Sequence, residues 1–289
     1  MSQTPPKSDH NFLIGSYNIL NPYHAVKWHT DEGLNEQNED NWEEGRRASI
    51  IKNIQDAHLD ICALQELSER TLDQIKIPVD ENRFMHRSSL WKHFTEEPEG
   101  AHGVAVFFNP NRFSLVGEQG IKSSDSKFRY AACVDLKDLQ NGFVYRVVSV
   151  HIKGYDPYEE DLVIKGQSQQ RGDQELSEYL TACTQQSDHL DGIFILGDFN
   201  EDAEEMERRG LESRQGQLIQ SRFTWTGVAY PTETRSQRQI DWIFYLDLHD
   251  GIHKVRFVNC LQDLSASDHA LTVVEHQSSL KSLAQFMIT

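Results

Sequence analysis

Six short stretches of the chain close an apolar run with a side chain that can hold a metal ion or move a proton. They are Ser16-Tyr17-Asn18, Leu64-Gln65-Glu66, Ser149-Val150-His151, Gly197-Asp198-Phe199-Asn200, Ile240-Asp241-Trp242 and Ser267-Asp268-His269. Each has an ordinary structural use. Asn after a strand serves a turn, Gly-Asp-x-Asn serves a loop, and Glu66 has the charge to cap a following helix. His151 could be a satisfied, partly buried histidine, and Asp268-His269 an N-cap. Together they form a different pattern. Acids, amides and histidines that all close buried strands are hard to explain as turns; they are metal-binding and acid-base groups, and strand ends hold side chains more firmly than free loops do. Chemistry of this kind needs no nucleophilic Ser or Cys motif, and no covalent intermediate is expected.

The elements that position these residues alternate along the chain. Residues 12–19 are an apolar run of strand length. Residues 46–57 carry Ile50, Ile51, Ile54 and Ala57 at helical spacing. A second buried strand, 60–64, ends at Gln65-Glu66, and 67–77 reads as helix. Residues 103–108 form a strand stopped by Asn109-Pro110-Asn111. Strands follow at 113–116, 131–136 and 144–152, the last two joined by a Gln140-Asn141-Gly142 hairpin turn. A Gln- and Glu-rich helix covers 167–184, and further strands cover 192–196, 240–246 and 271–274. This is too many strands for a simple βαβ alternation. The hairpin-like pairs predict two mostly antiparallel, mixed sheets packed face to face with helices outside, an α/β sandwich. No repeat or linker divides the chain, so residues 11–289 are expected to be one domain after a disordered lead-in of residues 1–10.

Composition bounds the function. The chain has 289 residues, 38% hydrophobic and 25% charged, as an ordinary soluble globular protein does. No apolar run reaches the ~20 residues of a membrane helix, and the polar N-terminus lacks the apolar core of a signal peptide, which predicts a cytoplasmic protein. Cys62, Cys133, Cys183 and Cys260 stand far apart, with neither CxxC nor zinc-ligand spacing, and Cys62 and Cys133, inside apolar segments, are expected to be buried free thiols. The formal net charge of −17 argues against tight, non-specific binding of polyanions. It leaves a nucleic-acid substrate open, since acids can cluster at a metal and a local cleft can still be basic.

The six motifs resemble, in order, those of the endonuclease/exonuclease/phosphatase superfamily, the deoxyribonuclease I-like enzymes. The resemblance runs from Asn18 to His269, nearly the whole chain. It implies a four-layered α/β sandwich and divalent-metal hydrolysis of phosphoesters. By the same resemblance Glu66 is the principal metal carboxylate, with Asn18 beside it and Asp268 as the second acidic ligand. Asp198 and Asn200 position the attacking water and steady the phosphate, Asp241 orients His269, and His151 contacts the scissile phosphate. Elementary chemistry agrees. Mg2+ prefers carboxylate and water oxygens, taking one or two protein carboxylates plus substrate phosphate, with Mn2+ a possible substitute. Hydrolysis needs an in-line water, charge neutralisation and a route for the leaving-group proton. Asp198 can orient the water, and Asn200 can donate to a phosphate oxygen without adding charge. A carboxylate beside His269 favours its imidazolium form.

Ser16-Tyr17-Asn18-Ile19-Leu20, Trp42 with Arg46, and the run from Asp60 to Glu66 resemble the deadenylase, nocturnin and 2′,5′-phosphodiesterase branch, although Trp42 and Arg46 stand one residue further apart than the branch has them. Arg171-Gly172-Asp173-Gln174 resembles the helix that follows the first histidine in many members; a solvated helix face is the alternative. His24, Trp28 and His29 lie in a polar stretch, 21–41, that reads as a disordered insertion or a lid. Arg129, Asn200 and Trp225 are candidate substrate contacts, the arginine for a phosphate and the aromatic for a base. His102, Phe128, Tyr130 and Phe223 are weaker ones. With no adaptor repeat ahead of the motifs and an acidic surface, the expected protein is a monomer acting on nucleic acid or nucleotide rather than lipid. A phosphomonoesterase of inositol, sugar or nucleotide phosphates is the enzymatic alternative, and a catalytically inactive binding scaffold the non-enzymatic one.

Overall fold

A strand covered on both faces has no polar side to show, and the uninterrupted apolar runs build strands of that kind. The computed structural model describes residues 11–20, 45–92, 103–124, 129–154, 161–225, 238–249, 253–261, 267 and 269–278. In chain order the elements are β1 (Phe12–Asn18), α1 (Gly45–Asp56), β2 (Ile61–Leu67) and α2 (Glu69–Gln74). Four short strands follow: β3 (Pro78–Asp80), β4 (Arg83–Phe84), β5 (His86–Arg87) and β6 (Trp91–Lys92). Then come β7 (Gly103–Phe108), β8 (Phe113–Lys122), β9 (Tyr130–Asp138), β10 (Val144–His151) and α3 (Leu162–Thr184). The rest are β11 (Gly192–Asp198), α4 (Ala203–Arg209), a 3-10 turn (Gly210–Glu212), α5 (Arg214–Gln220), β12 (Thr224–Trp225), β13 (Asp241–Asp247), β14 (His253–Leu261) and β15 (Leu271–Ser278).

The first sheet has the order β14-β15-β1-β2-β7-β5, with β6 also on β7, and the second β12-β13-β11-β10-β9-β8. Both are mixed. Among the described residues, only β1 and β2 run parallel in the first, and only β10 and β11 in the second. Phe12, Ile14, Ala63 and Val106 of the first sheet meet Val134, Val147, Phe194 and Ile243 of the second in the central core. Outside, Ile50 and Ile54 of α1 and Leu72 of α2 pack on Tyr17, Leu64 and Phe107. Leu176, Tyr179 and Leu180 of α3 and Leu218 of α5 cover Val148, Ile195 and Phe244. These are the four layers expected of the sandwich.

The expected helix at 67–77 is shorter. It starts at Glu69 behind an N-cap at Ser68, in a capping box with Thr71, and strand β3 begins at Pro78. Ser68 takes the capping role that Glu66 had the charge for. Helix α3 starts earlier than expected, at Leu162, because Asp161 caps it by accepting from Val163 N at 2.8 Å. The turn after β9 is present, with Gly142 at φ +82°. All four cysteines are free, three of them buried. Among the described residues no helix is long and apolar enough to cross a membrane.

Candidate active site

The strand pairings bring the motif ends to one edge of the sandwich. Parallel β1 and β2 set Asn18 beside Gln65, and parallel β10 and β11 set His151 beside Asp198. Antiparallel β13 sets Asp241 opposite Asp198. β15 runs antiparallel to β1 with Thr272 opposite Ser16, so His269, three residues upstream, reaches the same edge. The two sheets are tied there by side chains. Gln65 Nε2 donates to Ser149 Oγ at 3.1 Å, and Asn18 Nδ2 donates to Asp198 Oδ2 at 3.1 Å.

Glu66 is delivered by a bulge. Leu64 pairs with Ala105 but Leu67 pairs with Gly103, so three steps along β2 match two along β7. Both leucines consequently face the outer core. Glu66 takes φ +61°, uncommon for a residue with a side chain. Strict alternation would send it outward on the face of Leu64; the bulge re-aims it at the site instead. Its Oε1 accepts from Asn18 Nδ2 at 3.0 Å.

Asp198 is the hub. Oδ2 takes the Asn18 amide and lies 3.6 Å from His151 Nε2 and 4.0 Å from His269 Nε2. Oδ1 accepts from Asn200 N at 2.8 Å, a turn closed by Asn200 at φ +51°. On the near side, Gly197 sits at φ +147°, where a Cβ would strike the Val150 carbonyl. His269 Nδ1 is 2.8 Å from Asp241 Oδ2, an arrangement that turns Nε2 toward Asp198. His151 Nε2 is 3.9 Å from Glu66 Oε1. Among the described residues, two groups have ligand atoms mutually within 4.8 Å: Glu66, His151 and Asp198, and Asp198, Asp241 and His269. Burial, then repulsion from Asp241, pushes the Asp198 carboxyl up to about 7. Three buried carboxylates facing two imidazoles supply the hard oxygens that a divalent cation favours, and a cation would relieve their mutual repulsion.

Of the residues singled out from sequence, Asn18, Glu66, His151, Asp198, Asp241 and His269 come together. Asn200 adjoins them, but its Nδ2 donates to Ile152 O at 3.1 Å, so this amide braces the end of β10. Arg129 Nη1 donates to His151 O at 2.9 Å, which puts its charge beside the histidine. Burial, with Arg129 and Arg171 adding, holds the Lys153 ammonium below its ordinary value, so a cationic flank exists in this acidic chain. Trp225 lies on edge strand β12 opposite Phe244, edge-on to Trp242 at 5.4 Å, and Phe223 is core. Asp268, Phe128, His102, Trp42 and the 21–41 stretch lie outside the described residues.

Supporting roles not anticipated fall to residues inside the motifs and to Arg46. Ser267 Oγ donates to Asn18 O at 2.7 Å and accepts from His269 N at 3.1 Å, joining the loop before β15 to the end of β1. Ser149 and Gln65 form the inter-sheet tie. Buried Arg46 donates to the carbonyls of Ile19 and Leu20, fixing the chain as it leaves Asn18. Apolar periodicity carries no signal for such long-range bonds.

The fold and this edge define a class. Residues 15–269 match the endonuclease/exonuclease/phosphatase family, and the chain belongs to it. Its members hydrolyse phosphoesters, and the protein is a phosphoesterase. Among solved structures, the human nocturnin catalytic domain with bound sulfate is similar over 93% of this chain and 95% of its own, with TM-score 0.62 and 19% identity. ANGEL2, a 2′,3′-cyclic phosphatase seen with adenosine-2′,3′-vanadate, is similar over 94% and 96%, with TM-score 0.64 and 16% identity. The Bacteroides thetaiotaomicron mannosyl-6-phosphatase is similar over 93% and 100%, with TM-score 0.59 and 15% identity. A search of curated proteins finds no match.

Proposed function

We propose that the protein is a Mg2+-dependent phosphodiesterase that hydrolyses a bond in a nucleotide or nucleic acid by in-line attack of water. The observation that carries this reading is the placement of Asp198, within 4.0 Å of both histidines and hydrogen-bonded to the asparagine that also holds Glu66. Asp198 orients the water and draws on its proton. His269, held by Asp241, presents Nε2 to the phosphoryl group as negative charge builds there, and His151 meets the phosphate from the other side. Asn200 stiffens the turn that aims Asp198 and lies next to the phosphate position. Glu66, with Asn18 beside it and Asp268 from the sequence, would hold the Mg2+, which when bound neutralises charge on the phosphoryl oxygens. Arg129 and Lys153 supply the positive flank for an anionic substrate, and Trp225 a ring for a base.

The nucleotide preference draws on the sequence resemblance to the nocturnin branch and on the adenosine vanadate seen in ANGEL2. The mannosyl-6-phosphatase supports a second reading, monoester hydrolysis with the same residues. We further propose that the chain acts as a cytoplasmic, single-domain monomer, with Mn2+ able to replace Mg2+. The test is a substrate panel with and without Mg2+: bis(p-nitrophenyl) phosphate, oligo(A), an abasic duplex and inositol phosphates. Metal-dependent cleavage of a diester is expected. Turnover confined to monoesters would replace the first reading with the second.

A further inference from the structure

We propose that Arg214 is a positioning residue for the hydrolysis: it clamps the backbone beside Asn200 to the backbone just beyond His151. The inference rests on the site reading above. Arg214 opens α5, outside the six motifs, and is fully buried. Nη1 donates to Phe199 O, the carbonyl between Asp198 and Asn200. Nη2 donates to Lys153 O at 3.0 Å, two residues past His151. Nε donates to Asp173 Oδ1 at 3.2 Å, and the backbone N–H donates to Glu201 Oε2. One guanidinium therefore joins the loop after β11, the segment after β10 and helix α3. Its planar fork of donors suits two carbonyls and a carboxylate at once, which no ammonium can match.

The clamp spans the gap already bridged by Asn200 Nδ2 to Ile152 O and by Ile152 N to Asp198 O at 2.8 Å. It fixes how far the turn bearing Asp198 and Asn200 stands from the end of β10 bearing His151. The Arg171-Gly172-Asp173 stretch now has a use. A Cβ on Gly172 would collide with the Arg214 guanidinium and come within 2.6 Å of Lys153 O, so this face of α3 must be bare. Asp173 receives both Arg214 and Arg209, and Arg209 also reaches Glu201. Two cations and two carboxylates thus balance around the clamp. A buried ionic network is a poor way to gain stability over apolar packing. Its value here is that it satisfies and places carbonyls adjoining the reactive residues.

The test compares Arg214→Met, Arg214→Lys and Gly172→Ala in the full chain, with thermal unfolding and amide hydrogen exchange beside steady-state kinetics. Displacing reactive groups by about 1 Å costs on the order of 100-fold in rate. Arg214→Met should therefore lose about that in kcat, with KM and the Mg2+ half-saturation changed less than about threefold. Arg214→Lys should recover part of the loss, and Gly172→Ala should reproduce part of it with Arg214 intact. A folded Arg214→Met with kcat within about threefold of the parent overturns the proposal, as does a loss that only tracks the unfolded fraction in all three variants. If the parent cleaves nothing in the panel, the functional reading fails and exchange judges the clamp. Amides 152–154 and 199–201 should exchange at least about tenfold faster in Arg214→Met and Gly172→Ala; unchanged protection there refutes it.

Discussion

Replacing Asn18 by aspartate exchanges an amide nitrogen for an oxygen and sets a third carboxylate against two that are already buried. The Asn18 amide now donates to Glu66 at 3.0 Å and to Asp198 at 3.1 Å. With an effective dielectric near 20, each new carboxylate pair at that distance repels by about 5 kcal/mol. The chain can escape by protonating one carboxyl, which caps the penalty. Holding a group of ordinary pKa near 3.9 protonated at pH 7 costs about 4 kcal/mol, at about 1.4 kcal/mol per pH unit. Asn18→Asp should therefore lose about 4 kcal/mol of stability in urea unfolding at pH 7 in EDTA. Saturating Mg2+ should return roughly half of the loss or more, since a cation favours the folded state that gathers its ligands. The same variant should gain more from Mg2+ than the parent does. Equal stability of variant and parent in EDTA would refute the clustering of these three side chains, and an equal response to Mg2+ would refute the cation site.

Two other perturbations probe the frame around the site. Gly197→Ala puts a Cβ on the Val150 carbonyl at a φ of +147°. It should cost about 3 kcal/mol or more, with activity falling alongside; a loss below about 1 kcal/mol would contradict the β10–β11 geometry. His276 lies at the other end of the sandwich, fully buried, stacked on Phe12 at 4.5 Å, with neither ring nitrogen hydrogen-bonded. Burial holds it well below 6.5, with His253 and Arg112 adding. The unfolded chain therefore takes up this proton first, and stability present above about pH 6.5 declines as pH falls toward the depressed native value, by up to about 1.4 kcal/mol per pH unit. His276→Phe should flatten the acid limb of urea stability measured from pH 7 to 5, and an unchanged slope would refute the assignment.

Much of this was legible in the chain because the central strands are buried on both faces. Residues 12–19, 103–108 and 192–196 read as apolar runs, and the polar residues at their ends mark the edge where the sheets open. What escaped has physical reasons. Strand β2 reads as ending at Leu64, since a bulge that turns Glu66 inward leaves no mark on periodicity. Strand β14 lies at a sheet edge, where Lys254, Arg256 and Asn259 interrupt the apolar pattern and hide the strand. Helix α5 is only seven residues long, with Gln, Gly and Arg where apolar residues would announce it. Arg214 joins partners as far as 61 positions away, a range that no local window reaches. In sequence Asn200 reads as a phosphate donor, yet its amide is also a brace, a role set by the Ile152 carbonyl across the strand pair.

The most direct test is the turnover of bis(p-nitrophenyl) phosphate by the parent, Asp198→Ala and His269→Ala, with Mg2+ and with EDTA, each variant first shown to be folded. The parent should turn the substrate over only with the metal, and both variants should lose at least about 100-fold of that rate. Activity that persists in EDTA, or in either folded variant, would contradict the proposed mechanism.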